Sequence, residues 1–87
     1  AMQDRLKRLK FRAWHRGTRE ADYMIGGFFD RYSPSWSDDE IAWFEAVCDE
    51  DDVDIMAWAL GTGAPPAHLD RPTMIAAMRR LDYIPLP

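Results

Sequence analysis

Eighty-seven residues with a formal net charge of −4 and a pI near 5.0 are enough for one domain, residues 1–87, and exclude a second. With 47% hydrophobic and 13% aromatic residues, the chain is expected to pack a core rather than stay disordered, although so short a chain hides only ~60% of its unfolded surface. Cys48 is the single cysteine, so no internal disulfide forms, and with no apolar run of about 18 residues neither a membrane-spanning helix nor a secretory leader is expected.

Residues 3–15 read as a first helix, apolar at Leu6, Leu9 and Ala13, with Phe11 and Trp14 on a neighbouring stripe and basic residues elsewhere. Gly17 breaks it, because glycine is costly inside a helix. Ala21, Met24, Ile25, Phe28, Phe29 and Tyr32 then recur at the three-and-four spacing of a second helix, with Glu20 and Asp22 in its first turn, where carboxylates suit the helix dipole. Gly26-Gly27 in its middle costs roughly 1 kcal/mol per glycine relative to alanine, which close approach by another element would compensate. Ser33-Pro34 ends the run.

Ser37-Asp38-Asp39-Glu40 is a capping box, flanked by Trp36 and Ile41 in staple positions. The helix it opens carries Ile41, Phe44, Val47 and Cys48 and stops in Asp49-Glu50-Asp51-Asp52. Asp51 or Asp52 caps a fourth helix over Val53, Ile55, Met56, Trp58 and Leu60, with Gly61 as its stop. Residues 61–69 read as a loop. Asp70 with Pro72 is expected to start a fifth helix through Met74, Ile75, Ala77, Met78 and Leu81, and the tail Tyr83–Pro87 cannot continue it. No stretch alternates with period two. The expected fold is all-α, a single small five-helix bundle with its core over about residues 6–83.

Charge is unevenly spread. Seven of the eleven basic residues precede Glu20, and between Asp38 and Asp54 lie nine acidic residues and no basic one. A positive end and a negative end are expected, suited to orienting a protein partner; two solvated faces are the plainer reading. His15, His68 and Cys48 lack metal-ligand spacing. The acidic run is no EF-hand: counted from Asp49, the sixth and twelfth places, which need glycine and glutamate, hold Asp54 and Leu60. Gly61-Thr62-Gly63 is too short for a phosphate loop. Cys48, at an apolar helix edge, reads as a small core residue rather than a nucleophile. The basic first helix with Phe11 and Trp14 suits nucleic acid, but the acidic half opposes a polyanion. Phe11, Trp14, Phe28, Phe29, Tyr32, Trp36, Trp43, Phe44 and Trp58 are core candidates. They exceed what so small a core holds, so one or two of them, Trp14 and Trp43 first, are expected on a partner-facing surface.

Arg16-Gly17-Thr18-Arg19-Glu20 remains. On one reading Arg16 or Arg19 pairs with an acid to hold the corner. On the other, Gly17 lets a partner's backbone approach while Arg16 and Glu20 bind it, arginine's planar fork matching carboxylate or phosphate.

The block Phe11–Glu20, followed in order by Ser37-Asp38-Asp39-Glu40, Phe44-Glu45 and Asp54-Ile55-Met56-Ala57-Trp58, resembles the SdhE family, the small FAD assembly factors of succinate dehydrogenase. The likeness runs over roughly residues 6–83 and centres on the family's Arg-Gly-x-x-Glu signature. It departs at Ala46-Val47-Cys48, where a leucine-rich helix end is expected, and at Gly26-Gly27. It implies an assembly chaperone, not an enzyme, that binds the flavoprotein subunit of succinate dehydrogenase, and often of fumarate reductase, and promotes covalent attachment of FAD to a histidine there. Arg16, Gly17 and Glu20 are the implied functional positions, with Arg12, Trp14, His15 and Arg19 beside them in the partner-binding set. FAD is expected on the client rather than bound tightly here, no metal or nucleic acid is expected, and the free protein is expected to be a monomer. A bacterial chain would act in the cytoplasm, a processed eukaryotic one in the mitochondrial matrix. An autonomous flavin transferase and a helical nucleic-acid or regulatory module are the alternatives.

Overall fold

Helix α2 (Arg19–Tyr32) runs through the middle of the molecule and buries Ala21, Met24, Ile25, Gly26, Gly27, Phe28 and Phe29. The computed structural model describes residues 1–83. Among them are four further α-helices, α1 (Met2–Trp14), α3 (Asp38–Cys48), α4 (Asp52–Leu60) and α5 (Pro72–Arg80), two 3-10 turns at Ser33–Ser35 and Ala67–Leu69, and no strand. The expected all-α, five-helix fold is what the chain adopts. Helix α1 lies along α2 and touches α3, while α4 packs on α5.

Phe28, fully buried, is the centre of an aromatic cluster with Tyr32, Trp36, Trp43, Phe44 and Tyr83, at ring-centroid separations of 5.2–6.3 Å. Two aromatic assignments are corrected here. Trp43 is not partner-facing: it is 7% exposed, and its Nε1 donates to the Leu69 carbonyl at 2.8 Å. The turn before α5 covers a side of α3 that its own periodicity leaves open. Phe11 is not core but 63% exposed. It lies two residues from both Leu9 and Ala13, about 200° around the helix from the buried stripe.

Local signals set most boundaries. Ser37 and Glu40 make the reciprocal cap, Ser37 N donating to Glu40 Oε1 at 2.8 Å and Glu40 N to Ser37 Oγ at 3.3 Å. Gly61, at φ +80°, ends α4. Asp51 takes the N-cap position of α4 but makes no side-chain cap bond. Arg71, not Asp70, precedes α5, whose first residue is Pro72, and Leu81 closes that helix at φ +58° rather than extending it. Tyr83 Oη donates to the Met78 carbonyl at 2.7 Å; the rest of the expected non-helical tail lies outside the described residues.

The glycine pair in α2 has its compensation. Trp14 lies so close over Gly26 that a Cβ there would sit 2.2 Å from Trp14 Cδ2, and Tyr83 covers Gly27, where a Cβ would meet its ring at 3.1 Å.

The expected charge polarity is corrected too, because the basic helix lies against the acidic segment instead of opposite it. Arg5 grips Glu45 with both prongs, at 3.0 and 2.7 Å, and this pairing holds the Glu45 carboxyl below its ordinary range. Arg12 pairs with Asp49, Arg16 with Asp52 at 2.7 Å, and Lys10 with Asp30 at 3.4 Å. Three of these four pairs tie α1 and the residues after it to α3 or to the start of α4.

Candidate functional site

Helices α1 and α2 meet in a four-residue corner, His15–Thr18. The α1 helix stops because His15 leaves helical geometry and Gly17 takes φ +110°, a backbone state that costs other residues roughly 1–2 kcal/mol. The α2 helix starts because Thr18 Oγ1 accepts from Ala21 N at 3.2 Å. Glu20 and Asp22 follow in its first turn. Asp22 has a second task, accepting the Arg16 backbone N–H from across the corner.

Arg16 points inward. Its Nε donates to Asp52 Oδ1 at 2.7 Å, Nη1 to the Cys48 carbonyl at 2.7 Å and Nη2 to the Glu50 carbonyl at 2.8 Å. Only 11% of the side chain is exposed. The last carbonyls of a helix have no partner within it, and α3 has no basic residue in its last turn. Arg16 brings both the missing donors and the missing positive charge from another element. Of the two sequence readings of this residue, pairing with an acid describes where the side chain is.

The other expected site residues divide by exposure. Gly17, Arg19 and Glu20 are exposed, and a Cβ added to Gly17 would meet nothing within 4 Å. His15 is exposed and stacks on Phe11 with centroids 4.0 Å apart and planes 17° apart; its Nδ1–H donates to the Phe11 carbonyl at 2.8 Å. Arg12 is half-buried and engaged with Asp49. Trp14 is half-buried between Gly26 and Tyr23, its Nε1 enclosed without a hydrogen-bond partner. The exposed part of the corner thus comprises, in chain order, an aromatic stack, a bare glycine, a guanidinium and a carboxylate. Sequence reasoning missed three of its participants. Phe11 and Tyr23, the latter 40% exposed, were legible as positions off the buried stripe. Asp52 stands out locally only as one of two candidate caps of α4, which gives no pointer to Arg16.

Beside the corner, a shallow groove of about 470 Å³ is lined by Trp14, Gly27, Asp30, Arg31, Asp82 and Tyr83. Two carboxylates in that lining do not fit the pyrophosphate of a flavin dinucleotide. Cys48 offers no nucleophile: it is buried, and burial pushes its thiol up to about 11. This has a measurable consequence. An acid whose folded value lies above its unfolded one loses no stability below the unfolded value and loses it progressively above, as the unfolded chain ionises first. Stability should therefore fall between about pH 9 and pH 11, by roughly 2 kcal/mol at the upper end. Denaturant titrations across that range would show it, and Cys48→Ala should flatten the slope. No helix among the described residues is long and apolar enough to cross a membrane.

The family described as flavinator of succinate dehydrogenase matches residues 7–82 of the chain. The FAD assembly factor SdhE of Acetobacter pasteurianus is 39% identical over 57 residues, which cover 66% of the chain and 52% of that relative. The chain thus aligns with about half the length of the relative it matches.

Proposed function

This chain belongs to the family of flavinators of succinate dehydrogenase, and from that membership we propose that it binds the flavoprotein subunit of succinate dehydrogenase and promotes covalent attachment of FAD to it. The observation that carries the proposal is the open left-handed glycine, Gly17, with exposed Arg19 and Glu20 following it in the chain and the Phe11–His15 stack preceding it. A partner's backbone can reach the glycine closely. The neighbouring charges then take its polar groups, and the aromatic stack supplies the rigid anchor that interface centres favour.

The chain acts as a chaperone in this account. The bond-forming groups and the FAD belong to the client, and binding favours a client conformation in which histidine and flavin are aligned, where orientation lowers the barrier. Glu20 and Arg19 bind, Gly17 gives access, His15 and Phe11 anchor, and Arg12, Trp14 and Arg16 hold the corner in shape. The flavoprotein subunit of fumarate reductase, which presents the same task, is a second client. The free chain is a monomer, works in the cytoplasm of a bacterium or the matrix of a mitochondrion, and takes up no stoichiometric FAD on its own.

Glu20→Ala tests this. An exposed first-turn carboxylate gives its helix only about 0.3–1 kcal/mol, so the variant should melt within a few degrees of the parent while covalent flavin on the client drops severalfold. Melting temperature and in-gel flavin fluorescence on the same preparations separate folding from function. Normal flavinylation by the folded variant would reject the corner as the working surface. Gly17→Arg should also block flavinylation, at an added strain of roughly 1–2 kcal/mol because of its φ.

A further inference from the structure

Arg16 and Glu20 belong to one pentapeptide, yet they face different ways. Glu20 is exposed, whereas Arg16 spends its three donor nitrogens on Asp52 and on the carbonyls of Cys48 and Glu50. We infer that Asp52 is a positioning residue for the partner-binding corner, acting through Arg16 across 36 residues of sequence. This inference rests on the corner being the client-binding surface.

Asp52 accepts from Nε, the one guanidinium nitrogen not directed at a carbonyl. A guanidinium with two carbonyl acceptors alone can pivot; a third acceptor on the remaining edge fixes its plane. That plane sets where the Arg16 backbone sits. The Arg16 backbone N–H in turn donates to Asp22, in the first turn of α2 with Glu20. The series Asp52, Arg16, Asp22 therefore links the start of α4 to the turn that carries Glu20, and Gly17 is the hinge between the anchored residue and the exposed ones. A Cβ at Gly17 would meet nothing within 4 Å, so no side-chain packing at that residue restrains the corner. Asp52 itself is half-buried at 26% side-chain exposure, placed to hold Arg16 rather than to meet a partner.

The test uses the full chain and the FAD-free flavoprotein subunit of succinate dehydrogenase as the probe. Asp52→Asn keeps size and one acceptor but removes the charge. It should weaken binding to the subunit roughly tenfold, the loss expected when a charged hydrogen bond is downgraded. Asp54→Asn removes an exposed carboxylate from the same first turn of α4 without touching Arg16; it should change binding less than about twofold. A merely structural effect of Asp52 would be independent of Glu20. A positioning effect would largely vanish once Glu20 is gone, so Asp52→Asn in a Glu20→Ala background should add little further loss. Binding is measured well below the melting temperature of each variant, so that partial unfolding does not enter. If Asp52→Asn is too unstable for this, Asp52→Glu, which retains the charge at a shifted distance, replaces it and should give an intermediate loss, again absent in the Glu20→Ala background. Parental binding by the folded Asp52 variant, or equal losses in both backgrounds, would overturn the inference. Binding by the parent chain that Glu20→Ala leaves unchanged would instead overturn the assignment of the surface, with the Asp52 role falling with it.

Discussion

Arg16→Ala should cost about 3 kcal/mol of stability, the range expected when one partner of a largely buried charge pair is removed and its acceptors stay behind. The loss has three sources. Asp52 keeps its charge without Arg16, the carbonyls of Cys48 and Glu50 lose their donors, and the C-terminus of α3 loses the positive group that contacts its last carbonyl. Urea unfolding with an unchanged slope and a lower midpoint would report it. Arg16→Lys should recover less than half, because one ammonium cannot reach three acceptors spread along a planar fork. A midpoint unchanged in Arg16→Ala would mean the guanidinium is not seated against α3.

Gly26→Ala should be nearly as damaging, although alanine is the better helix former. The new Cβ would fall 2.2, 2.5 and 2.6 Å from Cδ2, Cε2 and Cγ of Trp14, the rigid middle of an indole rather than a flexible tip. Overpacking of this kind costs typically 1–3 kcal/mol and occasionally more, against a propensity gain of roughly 1 kcal/mol. A net loss of about 2 kcal/mol lowers the melting temperature of so small a domain by roughly 10 °C. Gly27→Ala is the internal comparison. Its Cβ meets Tyr83 at 3.1 and 3.2 Å, a contact relieved by a shift of a few tenths of an ångström, so its melting temperature should stay within a few degrees of the parent. Equal melting temperatures for the two variants would show that Trp14 does not rest on Gly26.

Those two glycines mark how far the sequence can be read. Their cost inside α2 was visible and implied a close neighbour, but the neighbours, Trp14 and Tyr83, come from distant parts of the chain that no local pattern connects to them. The same line divides the rest. The Ser37 cap and the Gly61 stop are short-range chemistry and lie where the residues put them. Trp43 was misjudged because the covering element, the turn at Ala67–Leu69, arrives from more than twenty positions away. Phe11 was misjudged against a signal that was present, since counting aromatics outweighed its angle from Leu9 and Ala13. At the corner, Gly17 and the two carboxylates of the first turn of α2 were legible. The inward turn of Arg16 was not, because its acceptors are an aspartate and two backbone carbonyls from 32 to 36 residues downstream.

The Arg16 clamp also determines when the corner can exist. Residues 11–20 hold every member of the signature, and a segment covering α1 and α2 would hold the whole corner in covalent terms. The groups that fix it lie at the end of α3 and the start of α4, so loop closure over more than thirty residues must come first. A ribosome that has released only the first two helices has made the signature but not the surface. The signature is for the same reason not portable: grafted as a peptide or onto another helical hairpin, it would carry the right side chains without the anchor that orients them, and client engagement belongs to the finished chain.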